Sequence, residues 1–511
     1  MLQDPILRSF DLLARRRPLA PLIVSPERRA TVGEIDALAR AAAAGLAALP
    51  PIPAHASGSL VGLVAANGPG FLASLLALRR AGRTVLLLDG QTPDAEALRI
   101  ARALGAAALF SCRTGWPEGP DDWTLTAAEP TVPAADLTGI AVVKLTSGST
   151  GAPRGIAAPA EALLADDAAL TATMGIREGD RLLTTIPMAH SYGLSSLVVP
   201  ALVRGTPLVL PAAGSLFDPF VAAAQCEATV FPTVPAYLDA LLRISEAPPG
   251  PPSLRRVITA GAPLSPATAH RFRETFGLAV HVFYGASECG GICYDREGGA
   301  GERGTLGTPV EGVQVTLEPL PGEDGAEKRP HPRPLSHLPP TPPPGEGRAE
   351  ASCPGGLVTV RSAAVAAGYL PAPDPRLGGG RYVAGDLAAW HGGELVLRGR
   401  LDGLINIKGK KINPREVEEI LGGLAGVDEV VVLGVPVPGR PEERLRAVIA
   451  CLPGSLTVED VLAWCRGHLA PHKVPRSVIL VPEMPRTERG KLDRAALLAL
   501  GTGCGASVGH A

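Results

Sequence analysis

Apolar residues in the first half of the chain follow two alternating rhythms. ALARAAAAGLAAL and FLASLLALRRAG carry the three-to-four-residue spacing of helices, whereas SLVGLVAAN and TVLLLDG are short continuous runs of strand length. RLLTTIPM, TPLVLPA, ATVFPTVP and RRVITAG extend the series to residue 261. Strand and helix in alternation predict parallel sheets with crossover helices. Runs that are apolar at nearly every position predict strands buried on both faces.

The pattern then breaks. Residues 321–354 are dense in proline and nearly free of aliphatic side chains, which predicts an extended, disordered insert that fills no core. Strand-like GVQVTLEP precedes it and GGLVTVRS follows it, so the two are expected to pair as a hairpin around a tolerated insertion. A ligand for a proline-recognition module is the alternative. Near the end, INPREVEEILGGLAGV reads as a helix, EVVVLGVPV and LRAVIACLPG as strands, and TVEDVLAWCRGHL as a helix opened by Thr457 and Asp460. That order predicts a small α+β unit. GTGCGASVGHA is expected to be a frayed tail.

Composition narrows the class. A chain of 511 residues exceeds what one core usually supports, so two or more domains are expected. Charged residues are 19% against 46% hydrophobic, which favours a globular protein. A formal net charge of −2 offers no electrostatic case for nucleic acid or an anionic membrane. No apolar stretch is long and clean enough to span a bilayer. The N-terminus has Asp4 and Asp11 early and its Arg15–Arg17 cluster after the apolar residues, the reverse of a signal peptide. The cysteines are widely spaced except Cys289 and Cys293 in CGGIC, which is not a common zinc or redox spacing. Buried free thiols and a cytoplasmic location are expected.

Candidate chemistry begins with LTSGSTGAPRG at 145, after strand-like AVVK. Its glycines permit close backbone approach to an anion, its hydroxyls donate, and Arg154 adds charge. It lacks the lysine of the GxxxxGK[ST] phosphate loop, and a flexible turn is the plain alternative. YGASE at 284 sets an aromatic ring four residues before a carboxylate, suited to stacking on a purine and to holding magnesium. YVAGDLAAW places Asp386 where it can accept from ribose hydroxyls. GRLDGLINIKGKKINPREVEEI opens with an Arg–Asp pair and continues into a basic, glycine-bearing turn. Taken singly, Tyr284 also fits a core, Glu288 a solvated charge, Asp386 a turn, and Lys408, Lys410 and Lys411 a solvated face.

Together and in this order, these stretches resemble the adenylate-forming superfamily of acyl- and aryl-CoA synthetases, firefly luciferases and peptide-synthetase adenylation domains. PRTERGKLDR at 485 is similar to its terminal Pro-x-Thr-x-x-Gly-Lys motif. The resemblance implies an α/β fold: a large N-terminal domain of parallel-sheet subdomains plus a small β-barrel-like subdomain (1–398), a hinge (399–402), a small mobile α+β C-terminal domain (403–500) and a tail (501–511). It implies that ATP and a carboxylic acid give an acyl-adenylate and pyrophosphate, after which a thiol takes the acyl group. ATP, Mg²⁺ and CoA are the implied cofactors.

Carried onto this chain, the resemblance assigns Thr146, Ser147, Gly148, Ser149, Thr150, Gly151 and Arg154 to the pyrophosphate end of ATP. Gly261, Ala262 and Pro263 flank adenine, with Tyr284 and Gly285 against it. Ser287 contacts the α-phosphate and Glu288 the magnesium, while Asp386 and Arg400 hold the ribose. Asp402 is the hinge, and Lys491 bridges carboxylate and α-phosphate. Lys408, Gly409, Lys410 and Lys411 face CoA. Arg154, Ser287, Ala384 and Asn406 depart from the usual lysine, threonine, threonine and lysine.

In TTIPMAHSYGLSSLVVP, His190 and Tyr192 are the implied acyl-pocket residues, and this stretch holds no acid to pair an α-ammonium. An unpaired buried ammonium is costly, so a fatty or aryl acid is expected. CoA is the expected acceptor. A fatty acyl-AMP ligase, or an enzyme loading a carrier-protein pantetheine in trans, is the alternative. A non-catalytic nucleotide-binding relative is expected to have lost Lys491, Glu288 or Asp386, and all three are present.

Overall fold

A computed structural model of the protein describes residues 4–46, 59–133, 135–147, 153–212, 214–244, 249–319, 355–400, 405–407, 410–412, 414–437, 443–486, 492–500 and 508–510. The insert 321–354, the loop residues Gly148, Ser149, Thr150 and Gly151, and Asp402, Lys408, Gly409 and Lys491 lie outside the described residues. So do the side chains of Ser147, Arg400 and Lys411.

Two large sheets form the N-terminal part. One runs in the order Gly368–Leu370, Pro153–Pro159, Ile140–Ser147, Thr84–Asp89, Leu60–Ala65, Ala108–Cys112, Thr124–Ala127. Its central strands are parallel, as their continuous apolar runs predict. The other sheet has the parallel strands Val280–Ala286, Arg256–Thr259, Val230–Thr233, Leu182–Leu183 and Leu208–Val209 side by side. Both faces of these strands are covered. Val85 and Leu87 enter a core shared by the two sheets, while Leu86 and Leu88 enter a separate core on the outer face. Leu182, Val230 and Ile258 likewise face the shared core, and Leu183, Phe231 and Val257 face outward into another.

Helix Pro69–Arg80 follows this logic, with every residue from Pro69 to Leu78 buried. Helix Val32–Gly45 starts at a capping box between Thr31 and Glu34. Helix Ala160–Met174 ends at Gly175, whose φ of +61° suits glycine. A small antiparallel sheet follows. Gln314–Glu318 pairs with Gly356–Arg361 in continuous register, so the strands flanking the insert do form the expected hairpin. Arg381–His391 and Glu394–Arg400 complete it.

The C-terminal unit has its own cores. Helix Pro414–Gly422, strands Glu429–Pro436 and Glu443–Ala450, helix Val458–His468 and strand Ser477–Val481 follow the predicted order, and the Thr457–Asp460 capping box is present. A short hairpin, Ile405–Ile407 with Lys410–Ile412, precedes them where the sequence suggested only a turn. The tail is a correction: Val508–His510 pairs antiparallel with Ser477–Ile479. Its glycine-rich approach hid a final valine placed to join the edge strand.

Among the described residues no helix is long and apolar enough to cross a membrane. Cys112, Cys226, Cys289, Cys293, Cys451 and Cys465 are free and buried, as expected.

Candidate active site

The carboxyl ends of the strands in both large sheets meet around one cavity of about 590 Å³. Crevices of this kind are where α/β folds bind ligands. Asp89 closes its strand, Thr146 lies near the end of Ile140–Ser147, Gly261 follows Arg256–Thr259, and Ser287 follows Val280–Ala286. Thr146, Arg154, His190, Tyr192, Gly261, Ala262, Pro263, Tyr284, Gly285, Ser287, Glu288, Asp386 and Lys410 all line the cavity. These candidates come from segments far apart in the chain, and the fold brings them together.

Several are held by specific contacts. The Tyr284 hydroxyl donates to Asp386 Oδ2 at 2.7 Å. Asp386 is the cross-strand backbone partner of Arg400, so the two residues assigned to ribose share one rung of the small sheet. Gly261 has φ +86°, a conformation that favours glycine. At Gly285 a Cβ would lie 2.7 Å from the Gly290 carbonyl oxygen, so the close approach of the two strands requires glycine there. The Ser191 hydroxyl donates to Ser287 Oγ at 2.7 Å. Glu288 accepts at Oε1 from the Tyr369 hydroxyl at 2.9 Å.

Arg154 lies over the Tyr369 ring, 3.9 Å from its centroid, and pairs with Asp374 at 3.3 Å. That planar stacking is open to arginine and closed to the lysine it replaces. Hydrogen bonds from Arg376 hold the Asp374 carboxyl well below its ordinary range, against the effect of burial. Tyr192 donates to the Ile258 carbonyl at 3.1 Å, and burial pushes its phenol far up, so it stays neutral.

The acyl end needs a correction. The stretch around His190 carries no acid, yet two of the acids that line the cavity meet this stretch from elsewhere: Asp89 from its strand and Asp166 from helix Ala160–Met174. Asp89 is already engaged, by His190 Nε2 at 3.1 Å and by Lys410 Nζ at 3.4 Å. Burial opposes its charge, but these two partners hold it well below the usual carboxylate range. Asp166 accepts from the Gly291 N–H at 2.9 Å and from the Ser195 hydroxyl.

The C-terminal unit closes one side of the cavity. Asn406 Nδ2 donates to the Gly261 carbonyl at 3.2 Å, so the residue standing in for the usual hinge-side lysine touches the adenine-side segment. Lys410, predicted to face CoA, bonds Asp89 and lies 3.4 Å from His472 Nδ1. The His472 and His190 rings sit edge to face, 6.5 Å apart. Lys473 Nζ reaches Glu96 of the large part at 2.7 Å and Glu416 of its own unit at 2.8 Å, while Arg99 reaches Glu416 at 3.1 Å. Burial disfavours the Lys473 charge, but the two glutamates outweigh it and raise its pKa.

Asp89, Glu96, Lys144, Asp166, Tyr369, His472 and Lys473 are site residues that the sequence did not single out. Only Lys144 left a local trace, as a lone charge inside the apolar run IAVVKLTS.

Known proteins match this arrangement. Residues 10–370 match the AMP-binding enzyme model, and residues 416–491 match the AMP-binding enzyme C-terminal domain. A feruloyl-CoA synthase from Amycolatopsis sp is 30% identical over 429 residues, 81% of this chain and 79% of that protein. An oxalate–CoA ligase from Arabidopsis thaliana is 29% identical over 362 residues, 68% of this chain, and the chain spans about two thirds of its length, 65%. An o-succinylbenzoate–CoA synthetase double mutant from Bacillus subtilis, bound with its product analogue, superposes with TM-score 0.74 at 21% identity, covering 97% of this chain and 98% of that one. In complex with ATP and magnesium the same synthetase superposes with TM-score 0.62 at 22% identity, covering 96% and 98%. The chain belongs to the AMP-binding enzyme family, within the adenylate-forming superfamily.

Proposed function

We propose that this protein activates a carboxylic acid with ATP and passes the acyl group to the thiol of CoA. A substrate carboxylate oxygen attacks the α-phosphorus of ATP, pyrophosphate leaves, and an acyl-adenylate forms. A thiolate sulfur then attacks the acyl carbon, and AMP leaves. Holding a carboxylate against a triphosphate needs cationic help. Magnesium fits here: Glu288 is buried at the cavity wall, and one carboxylate with substrate phosphates is the usual way this ion is held. An ion held there would neutralise phosphate charge. Ser287 and Thr146 donate toward phosphate oxygens, Tyr284 and Asp386 orient the nucleoside, and Lys491 is assigned to the α-phosphate.

The observation that carries this reading is the single cavity in which Tyr284, Asp386, Ser287 and Glu288 meet His190 and, from the C-terminal unit, Asn406 and Lys410. With those two residues at the cavity, the arrangement fits the acyl-transfer step. The higher TM-score with the product-analogue complex than with the ATP complex supports this. Oxalate and ferulate, the acids named for the two curated relatives, both lack an α-ammonium, and Asp89 is taken up by His190 and Lys410. Both points support an acid–thiol ligase for a substrate without an α-ammonium.

A pyrophosphate-release screen over aliphatic, aryl, dicarboxylic and amino acids, with and without CoA, tests this. Acid-dependent release and CoA-dependent thioester are expected for acids without an α-ammonium. Turnover with amino acids alone contradicts the reading.

A further inference from the structure

We propose that Lys144 recognises a second anionic group, a carboxylate or sulfonate, carried on the far end of the acid, so that the site takes short acids with two anionic groups. This rests on the acid activation proposed above.

Lys144 sits in the middle of strand Ile140–Ser147, is 4% exposed and lines the cavity. Among the described residues it makes no hydrogen bond and no ion pair within 4.0 Å. Its charged neighbours are Asp166 and Glu288, which act on it from beyond that distance. Both are committed elsewhere. Asp166 holds the Gly291 N–H and the Ser195 hydroxyl, and Glu288 accepts from Tyr369. A buried ammonium is normally paired, because leaving water without a partner is costly. Burial lowers its pKa here and raises that of Asp166, which lessens repulsion between Asp166 and an incoming anion.

Position assigns the anion to the acid. Alternate residues of a strand share a face, so Lys144 and Thr146 point to the same side, roughly 7 Å apart along the strand. Thr146 leads outward to the loop assigned to pyrophosphate. Lys144 lies inward, toward Asp166 of helix Ala160–Met174 and its partner Ser195, five residues past His190 in the segment that opens the acyl end. A ligand group arriving at Lys144 from the acyl end is the part of the acid remote from its reacting carboxylate. An uncharged chain there would leave the ammonium unpaired.

The test compares dicarboxylic acids of two to six carbons with monocarboxylic acids of matched length, in acid-dependent pyrophosphate release, for wild type, Lys144→Met and Lys144→Gln. Wild type is expected to favour dicarboxylic acids. In both variants the ratio of kcat/KM between the two classes should shift toward monocarboxylic acids by roughly tenfold or more, since a site built for a polar group discriminates strongly against its absence. Protection of the wild-type melting temperature by a dicarboxylic acid over its matched monocarboxylic acid gives a readout that needs no variant. A wild-type preference for monocarboxylic acids, or an unchanged ratio in both variants, overturns the proposal. So does an equal loss for every acid with a raised KM for ATP, which assigns Lys144 to the polyphosphate instead. Acid activation itself survives each of these results; it falls if no acid raises pyrophosphate release above the acid-free rate.

Discussion

The Tyr284 hydroxyl donates to Asp386 across 2.7 Å, joining two motifs 102 residues apart. The bond fixes both groups at the cavity wall, where the proposed nucleotide site assigns the ring to the base and the carboxylate to the ribose. A hydrogen bond to a charged group contributes about 1.5–3 kcal/mol. Tyr284→Phe is therefore expected to raise KM for ATP about tenfold, read in ATP–pyrophosphate exchange. An unchanged KM means that the bond plays no part in nucleotide binding.

Buried Lys473, Glu96 and Glu416 form, with the partly exposed Arg99, a charge cluster across the two parts of the chain. Breaking one partner of such a pair typically costs about 3–5 kcal/mol, because the remaining charge stays buried. Glu96→Gln keeps the shape and removes the charge. It should slow thioester formation from supplied acyl-adenylate by about tenfold or more while slowing adenylate formation far less. Equal slowing of both steps contradicts a role in this particular docking.

His472 makes docking sensitive to pH. Burial, together with Lys410, Lys473 and His190, lowers its pKa from 6.5 to about 2, with only Asp89 opposing. A lowered histidine favours docking while it is neutral, so docking is strongest above 6.5 and weakens as pH falls below it. Each unit costs up to about 1.4 kcal/mol in that range. The depressed Asp89 carboxyl gives up its contribution only under far more acidic conditions. The acyl-transfer rate should thus fall between pH 6.5 and 5.5, and His472→Gln should flatten the profile. The same fall in the variant assigns the pH dependence to another group.

The strands flanking the proline-rich insert pair directly, Glu318 opposite Leu357. Replacing residues 323–350 with a short turn should leave the adenylation rate within about threefold, since loop length changes closure entropy by only about 0.6 kcal/mol per doubling. Loss of soluble protein or of activity shows that the insert packs.

Much of this was legible in the sequence because it is local. Continuous apolar runs predicted strands buried on both faces, and Leu86–Leu88 alternate between two cores accordingly. Tyr284, Glu288 and Asp386 could be named from their own motifs and Ser287 from the family resemblance, and all four share one cavity. Contacts across the chain left no such spacing. Lys473 meets Glu96 over 377 positions, and Asp89 reaches His190 from a different sheet. Asp89 and Asp166, the acids that meet His190 and Ser195, likewise come from outside the stretch that carries those two residues.

The most direct test concerns Lys491 and separates the two half-reactions. In this structure the paired strands Ile405–Ile407 and Lys410–Ile412 lie on the side of the cavity where Asn406 bonds Gly261. Lys491, on the same unit, is assigned to the other pose, in which it offsets charge as the carboxylate attacks phosphorus. Losing a positioned charge stabiliser costs on the order of 10²–10³ in rate. In single-turnover measurements, Lys491→Ala should lose acyl-adenylate formation by that factor, yet convert supplied acyl-adenylate and CoA to thioester near the wild-type rate. Equal loss in both steps contradicts the two-pose account.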